Sequence, residues 1–210
     1  MAQPSESSLS NADHRDKMRA WKDEQDAKVR ARQIRRGVVI VNEGDGKGKS
    51  TAAFGMAIRA AGHGQRVGIV QFIKGTWKTG ERAALSRFSE IDLVVAGDGF
   101  TWNTQNREQD IASARRGLTR AIEMVERSRG ESPRYDLVVL DELNIAVGYG
   151  YLPVPEVVEL LRNKPRELSI VVTGRGAKPE IIEVADTVTR MVAVKHAFEA
   201  GIRARKGVDF

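Results

Sequence analysis

The strongest chemical signal in the chain is Glu43-Gly44-Asp45-Gly46-Lys47-Gly48-Lys49-Ser50-Thr51. It follows the β-branched run Val38-Val39-Ile40-Val41 and opens the helix-like Thr51-Ala52-Ala53-Phe54-Gly55-Met56-Ala57-Ile58. Glycines at alternate positions let backbone N–H groups turn inward around phosphate oxygens. The helix N-terminus adds its positive dipole, Lys49 adds a charge, and the Ser50 hydroxyl is placed to reach Mg²⁺. A glycine-rich turn alone is common, whereas Gly-Lys-Ser between a strand and a helix is specific to phosphate loops. One position departs from the G-x-x-x-x-G-K-[ST] pattern. Glu43 stands where the first glycine belongs, which puts a carboxylate beside a polyanion.

A second group sits at Leu137-Val138-Val139-Leu140-Asp141-Glu142, an apolar run ending in two carboxylates. At the C-terminal edge of a parallel sheet these face the phosphate loop, where Mg²⁺ takes oxygen ligands. The competing reading is a helix N-cap with an acidic first turn. Two further stretches fit no amphipathic element. Gly97-Asp98-Gly99-Phe100-Thr101-Trp102-Asn103-Thr104-Gln105-Asn106 carries two large aromatics in a polar loop, which points to a flat partner or to a loop folded back on the core. Val172-Thr173-Gly174-Arg175-Gly176-Ala177 offers Arg175 to a phosphate oxygen, or is a surface turn.

The elements that must position these residues form a repeating pattern. Strand-like runs occur at Val38–Val41, Val67–Phe72, Leu93–Ala96, Leu137–Leu140, Ile170–Val172 and Thr187–Val192, with helical patterns between most of them, the longest from about Arg107 to Arg129. Runs apolar on both faces that alternate with helices indicate a doubly wound α/β domain with a mostly parallel six-stranded sheet. Residues 37–210 form this domain. Residues 1–36 form an arm, with a Ser-rich disordered start and then a charged helix whose larger apolar residues are Met18, Trp21, Val29 and Ile34, ended by Gly37.

Composition narrows the chemistry. The 210 residues contain no cysteine and three histidines, which excludes disulfide scaffolds, Cys-based metal sites and thiol catalysis. No apolar run reaches the roughly 18 residues of a membrane span, and the N-terminus lacks the apolar core of a secretory signal, so a cytoplasmic protein is expected. Residues 1–36 hold nine basic and six acidic side chains, half of the net charge of +6. A nucleotide-binding domain plus a charged helix accounts for that charge without nucleic acid.

Five stretches in order, Gly-Asp-Gly-Lys-Gly-Lys-Ser-Thr-Ala-Ala-Phe-Gly, Gly-Phe-Thr-Trp-Asn-Thr-Gln, Asp-Glu-Leu-Asn, Thr-Gly-Arg-Gly-Ala and the ending Lys-His-Ala-Phe-Glu-Ala-Gly-Ile-Arg-Ala-Arg-Lys-Gly-Val-Asp-Phe, resemble the phosphate-loop type of ATP:cob(I)alamin, or cob(I)yrinic acid a,c-diamide, adenosyltransferases. The resemblance spans about residues 37–210 and implies a RecA-like phosphate-loop fold. It implies that Co(I) of a reduced corrinoid attacks the 5′ carbon of ATP and expels triphosphate, in adenosylcobalamin biosynthesis or salvage. ATP then lies reversed relative to hydrolases. Such proteins typically lack glycine at the Glu43 position, with threonine expected there. Gly44, Asp45, Gly46, Lys47, Gly48, Lys49, Ser50, Thr51 and Arg175 would bind ATP, Lys49 aiding catalysis by stabilising the leaving group. Ser50 with Asp141 or Glu142 would hold Mg²⁺ or Mn²⁺. Phe100 and Trp102 would press on the corrin's lower face, displace the axial ligand and ease reduction of Co(II). The resemblance also implies a homodimer and a reduced flavoprotein as electron donor, and it makes residues 11–36 a lid over the corrinoid, the alternatives being a dimer-packing or merely solvated helix. Two other readings remain open here: a RecA-like or kinase-like enzyme acting at the γ-phosphate, and a corrinoid carrier without turnover.

Overall fold

A computed structural model of the chain describes residues 11–73, 79–96 and 106–208. The Ser-rich start, Phe100 and Trp102 lie outside the described residues. The chain divides into two compact units, with the boundary between Arg35 and Arg36.

The first unit contains α1 (Asn11–Arg30), a helix with no buried residue. Met18, Trp21 and Val29 are all exposed. Its sequence supports a helix through local pairs, among them Lys28 Nζ to Glu24 Oε1 at 2.5 Å, with the glutamate on the favoured N-terminal side. The helix stops at Arg30, short of the expected end at Gly37.

The second unit is built on six short strands: β1 (Val39–Glu43), β2 (Val67–Gln71), β3 (Ile91–Val95), β4 (Leu137–Asp141), β5 (Ser169–Thr173) and β6 (Thr187–Arg190). They lie in the order β3-β2-β4-β5-β1-β6. Every pairing is parallel, so the sheet is parallel throughout rather than mostly so. Between the strands run α2 (Lys49–Gly62), α3 (Gly80–Leu85), α4 (Arg107–Glu126), α5 (Leu143–Gly148), α6 (Val154–Arg162) and α7 (Pro179–Glu183). A short 3₁₀ turn, Ala197–Ala200, follows β6.

The two-residue period of the strands sorts the core into two layers. Val138 and Leu140 join Val70, Ile170 and Val172 in one layer, against Ala114, Leu118 and Ala121 of α4 and against α5 to α7. Leu137 and Val139 face the other way, with Val67, Ile69 and Val171, and pack on Ala53, Phe54, Ala57, Ala60 and Ala61 of α2. Helices thus cover both faces, and the sheet is doubly wound. β6 departs from the expected pattern. All four of its residues are exposed, because it is an edge strand with β1 on one side only.

This winding brings the C-terminal ends of β1, β4 and β5 to one edge of the sheet. β5 lies between β1 and β4, so the turn after β5 separates the phosphate loop from the two carboxylates.

Candidate active site

The phosphate loop is curled by its own glycines and lysine. Gly44 has φ 97°, and a Cβ added there would lie 2.4 Å from the Met191 carbonyl oxygen. Gly48 has φ 107° and caps α2 in the left-handed region that only glycine enters cheaply. The Lys49 ammonium donates to the carbonyls of Gly44 at 2.7 Å and Gly46 at 2.6 Å. Burial within the loop, and next the nearby Arg175 charge, push the Lys49 ammonium below the usual lysine range. The first N–H groups of α2 have no intrahelical acceptor, because the helical ladder begins at Ala52 N–H to the Gly48 carbonyl. Those amides and the dipole behind them suit an anion.

The segment after β6 braces this loop. Met191 N–H donates to the Glu43 carbonyl at 2.8 Å, and the Gly46 N–H donates to the Met191 carbonyl at 2.8 Å. The Gly46 amide is therefore a bracing group. Glu43 itself is 5% exposed, and Arg190 donates to its carboxylate. The oddity of a carboxylate at the head of the loop has a local answer, since the side chain is tucked behind the loop and charge-paired.

Opposite the loop, β4 ends at Asp141, whose side chain is wholly buried. Gln71 donates to one of its oxygens at 3.0 Å and Thr173 to the other at 2.8 Å. Glu142 follows at φ 62°, the one non-glycine residue with positive φ among those described, and its N–H donates to the Thr173 hydroxyl at 2.8 Å. Glu142 is the N-cap residue of α5 yet makes no side-chain capping bond there. The carboxylate thus occupies the cap position but does not do a cap's work.

A cavity of about 730 Å³ joins these parts. Asp45, Gly46, Lys47, Gly48, Lys49, Ser50 and Thr51 line one side, and Glu142, Arg175 and Gly176 another. Gly44 lies behind the loop, against Met191, and Asp141 lies behind Glu142 in the sheet. Arg175 Nε stands 3.9 Å from the Asp45 carboxylate, both side chains being largely exposed. Sequence reading missed other lining residues: Ile73, Ile145 and Tyr149 give the cavity an apolar wall, and Lys178 gives it another cation. Lys178 was within reach, three residues past Arg175 on the same turn, whereas nothing in the order of residues marks Tyr149.

The donor set fits a divalent cation carried by a polyphosphate. Mg²⁺ keeps several waters and needs only one or two protein oxygens when phosphates supply others. Ser50 and Glu142 both line the cavity. Among the described residues no group of three or more His, Asp or Glu could hold a metal ion by itself.

Comparison with known proteins identifies a family. The family model of the ATP:corrinoid adenosyltransferases BtuR/CobO/CobP matches residues 35–210. The chain is 50% identical to a corrinoid adenosyltransferase of Pseudomonas aeruginosa over 94% of this chain and 95% of that one. It is 46% identical to a corrinoid adenosyltransferase of Escherichia coli K12, over 96% of this chain and all of that one. A corrinoid adenosyltransferase CobA of Salmonella typhimurium is 45% identical with the same coverage. Among solved structures it is similar to the flagellar accessory protein FlaH of Methanocaldococcus jannaschii, with TM-score 0.48, 13% identity, and 75% of this chain and 72% of that chain covered. On the family model and on this identity over nearly the full length, the chain belongs to the ATP:corrinoid adenosyltransferase family.

Proposed function

We propose that the protein transfers the 5′-deoxyadenosyl group of ATP to the Co(I) centre of a corrinoid and releases triphosphate. The observation that supports this best is a cavity lined by Lys49, Ser50, Thr51, Glu142 and Arg175 on its polar sides and by Ile145 and Tyr149 on its apolar wall. That combination suits a polyphosphate at one end and a flat, weakly polar group at the other.

The chemistry asks little acid–base work of the protein. Co(I) donates an electron pair to C5′, the C5′–O bond breaks, and its electrons leave on the triphosphate. The nucleophile has no proton to lose, and triphosphate leaves without being protonated. The task of the chain is to hold the triphosphate and stabilise charge as it gathers on the departing oxygen, which is electrostatic catalysis. Lys49 and Arg175 supply cations, and the N-terminal amides of α2 supply fixed dipoles. Ser50 and Glu142 would hold Mg²⁺ or Mn²⁺, which when bound neutralises part of the leaving group's charge. Asp141, with both oxygens accepting hydrogen bonds, acts behind Glu142.

In the same reading, Phe100 and Trp102 displace the lower axial ligand of the corrinoid, and residues 1–36 close over it. The accepted substrates are cob(I)alamin or cob(I)yrinic acid a,c-diamide. The enzyme works as a cytoplasmic homodimer and takes electrons from a reduced flavoprotein. Anaerobic incubation with ATP, Mg²⁺ and chemically reduced corrinoid tests the core of it. The expected result is the spectrum of a cobalt–carbon bond through many turnovers. Release of ADP instead would put the chemistry at the γ-phosphate, and product retained after one turnover would make the protein a carrier.

A further inference from the structure

Three strands meet at Asp141. Gln71 on β2 is its register partner on one side, and Thr173 closes β5 on the other. A hydroxyl has one proton to give and two lone pairs to accept with. Thr173 uses both capacities, donating to Asp141 at 2.8 Å and accepting the Glu142 N–H at 2.8 Å. The side chain is wholly buried and does not line the cavity. It cannot touch substrate, so any effect on the reaction passes through its two neighbours.

What it does to Glu142 follows from the backbone. A non-glycine residue in the left-handed region is strained and persists only where the surroundings hold it. The Glu142 N–H is held by a hydroxyl whose orientation is itself set by the Asp141 carboxylate, while the Glu142 carbonyl accepts from the Ile145 N–H at 3.1 Å as α5 begins. Glu142 is also where β4 turns sharply into α5, so its φ decides which way the side chain leaves the chain. The same Thr173 opens the turn that carries Arg175. One hydroxyl therefore ties the acidic lip of the cavity to the strand that carries its basic lip.

We propose that Thr173 is a positioning residue whose hydroxyl fixes the left-handed conformation of Glu142 and so aims its carboxylate at the cation on the triphosphate. This rests on the reading of Glu142 as a cation-facing residue. The test is therefore arranged so that the two can fail separately.

ATP affinity is measured by calorimetry with Mg²⁺ and again in EDTA, and Mn²⁺ affinity in the presence of ATP by EPR. The proteins are the full chain and its Thr173→Val, Thr173→Ala, Thr173→Ser and Glu142→Gln variants. Thr173→Val and Thr173→Ala should lose about tenfold in Mn²⁺ affinity and in the Mg²⁺-dependent gain in ATP affinity, the usual scale for a residue that orients a metal ligand. Their affinity in EDTA should not change, and Thr173→Ser should restore the gain. Should Thr173→Val not fold, Ala against Ser decides the question. The proposal is overturned if the hydroxyl-free variant keeps the full gain, or loses affinity equally with and without the cation, which marks a merely structural role. If Glu142→Gln keeps the gain, the reading of Glu142 itself fails. If Glu142→Gln loses it while Thr173→Val keeps it, only the role of Thr173 fails.

Discussion

Arg190 decides what Glu43 does at the head of the phosphate loop. Left alone, a carboxylate there would repel triphosphate, but this one is nearly buried and receives the guanidinium of a residue 147 positions away. Arg190→Ala strands that charge. It should weaken ATP binding several-fold and lower the unfolding temperature slightly, the exposed side of the pair limiting the loss. Glu43→Gln in the same chain should recover both, as followed by calorimetry and thermal unfolding; an Arg190→Ala protein that binds ATP normally would contradict this account. Lys49→Ala should cost about a hundredfold or more in turnover, since it removes a cation at the departing charge. The loop, Lys49, Ser50, Glu142 and Arg175, which line one cavity, could be singled out from residue type and local spacing, whereas spacing alone could not tell that Asp141 lies behind Glu142. Arg190, Gln71 and Thr173 were not, because their meaning arises only when the parallel register sets them beside partners far away in the chain.

At the level of elements, five strands declared themselves through apolar runs, and long α2 and α4 through periodicity. The helices α3, α5 and α7, five or six residues each, are too short to show a period, and their boundaries emerge only from turns and caps. β6 looked like the other strands in Thr187-Val188-Thr189-Arg190 yet lies exposed, because composition cannot tell an edge from a centre. The α1 helix keeps Met18, Trp21 and Val29 exposed, a stripe that suits a bound face. Deleting residues 1–35, which keeps the Arg36–Asp186 pair, should lower corrinoid affinity while leaving ATP affinity unchanged, and equal corrinoid affinity in a spectroscopic titration would remove the lid. The Phe100→Ala, Trp102→Ala double variant should retain ATP binding and activity with Co(I), but lose adenosylation that starts from Co(II). Intact activity from Co(II) would contradict the proposed displacement of the axial ligand.

Across the whole molecule, one parallel sheet gathers the chemistry at its C-terminal edge and leaves its other edge to stability. There Asp186 accepts from Arg36 through both oxygens and from the Val39 N–H at 2.8 Å, fastening the entry to β1 onto the start of β6. The Arg36 hydrogen bond, against an opposing burial cost and helped by Val39, holds the Asp186 carboxyl at about 2, below its usual 3.8. Because the folded value is the lower one, the stabilisation is fully present above about pH 4 and fades as pH falls toward 2. Asp186→Asn should therefore lower the unfolding temperature at pH 7 and differ least from the native chain near pH 2; a constant difference across that range would contradict the assignment. Half of the net charge lies in the arm, and Lys49, Arg175 and Lys178 line the cavity, so the basic balance serves a nucleotide in this account.

The central claim is that the polyphosphate in this cavity is the leaving group and C5′ the point of attack. Phosphorus NMR of an anaerobic reaction, run beside absorbance at the cobalt–carbon band, tests it most directly. The account predicts one triphosphate for each adenosylated corrinoid and no ADP. Phosphate and ADP formed in step with the corrinoid product, or formed without it, would contradict it.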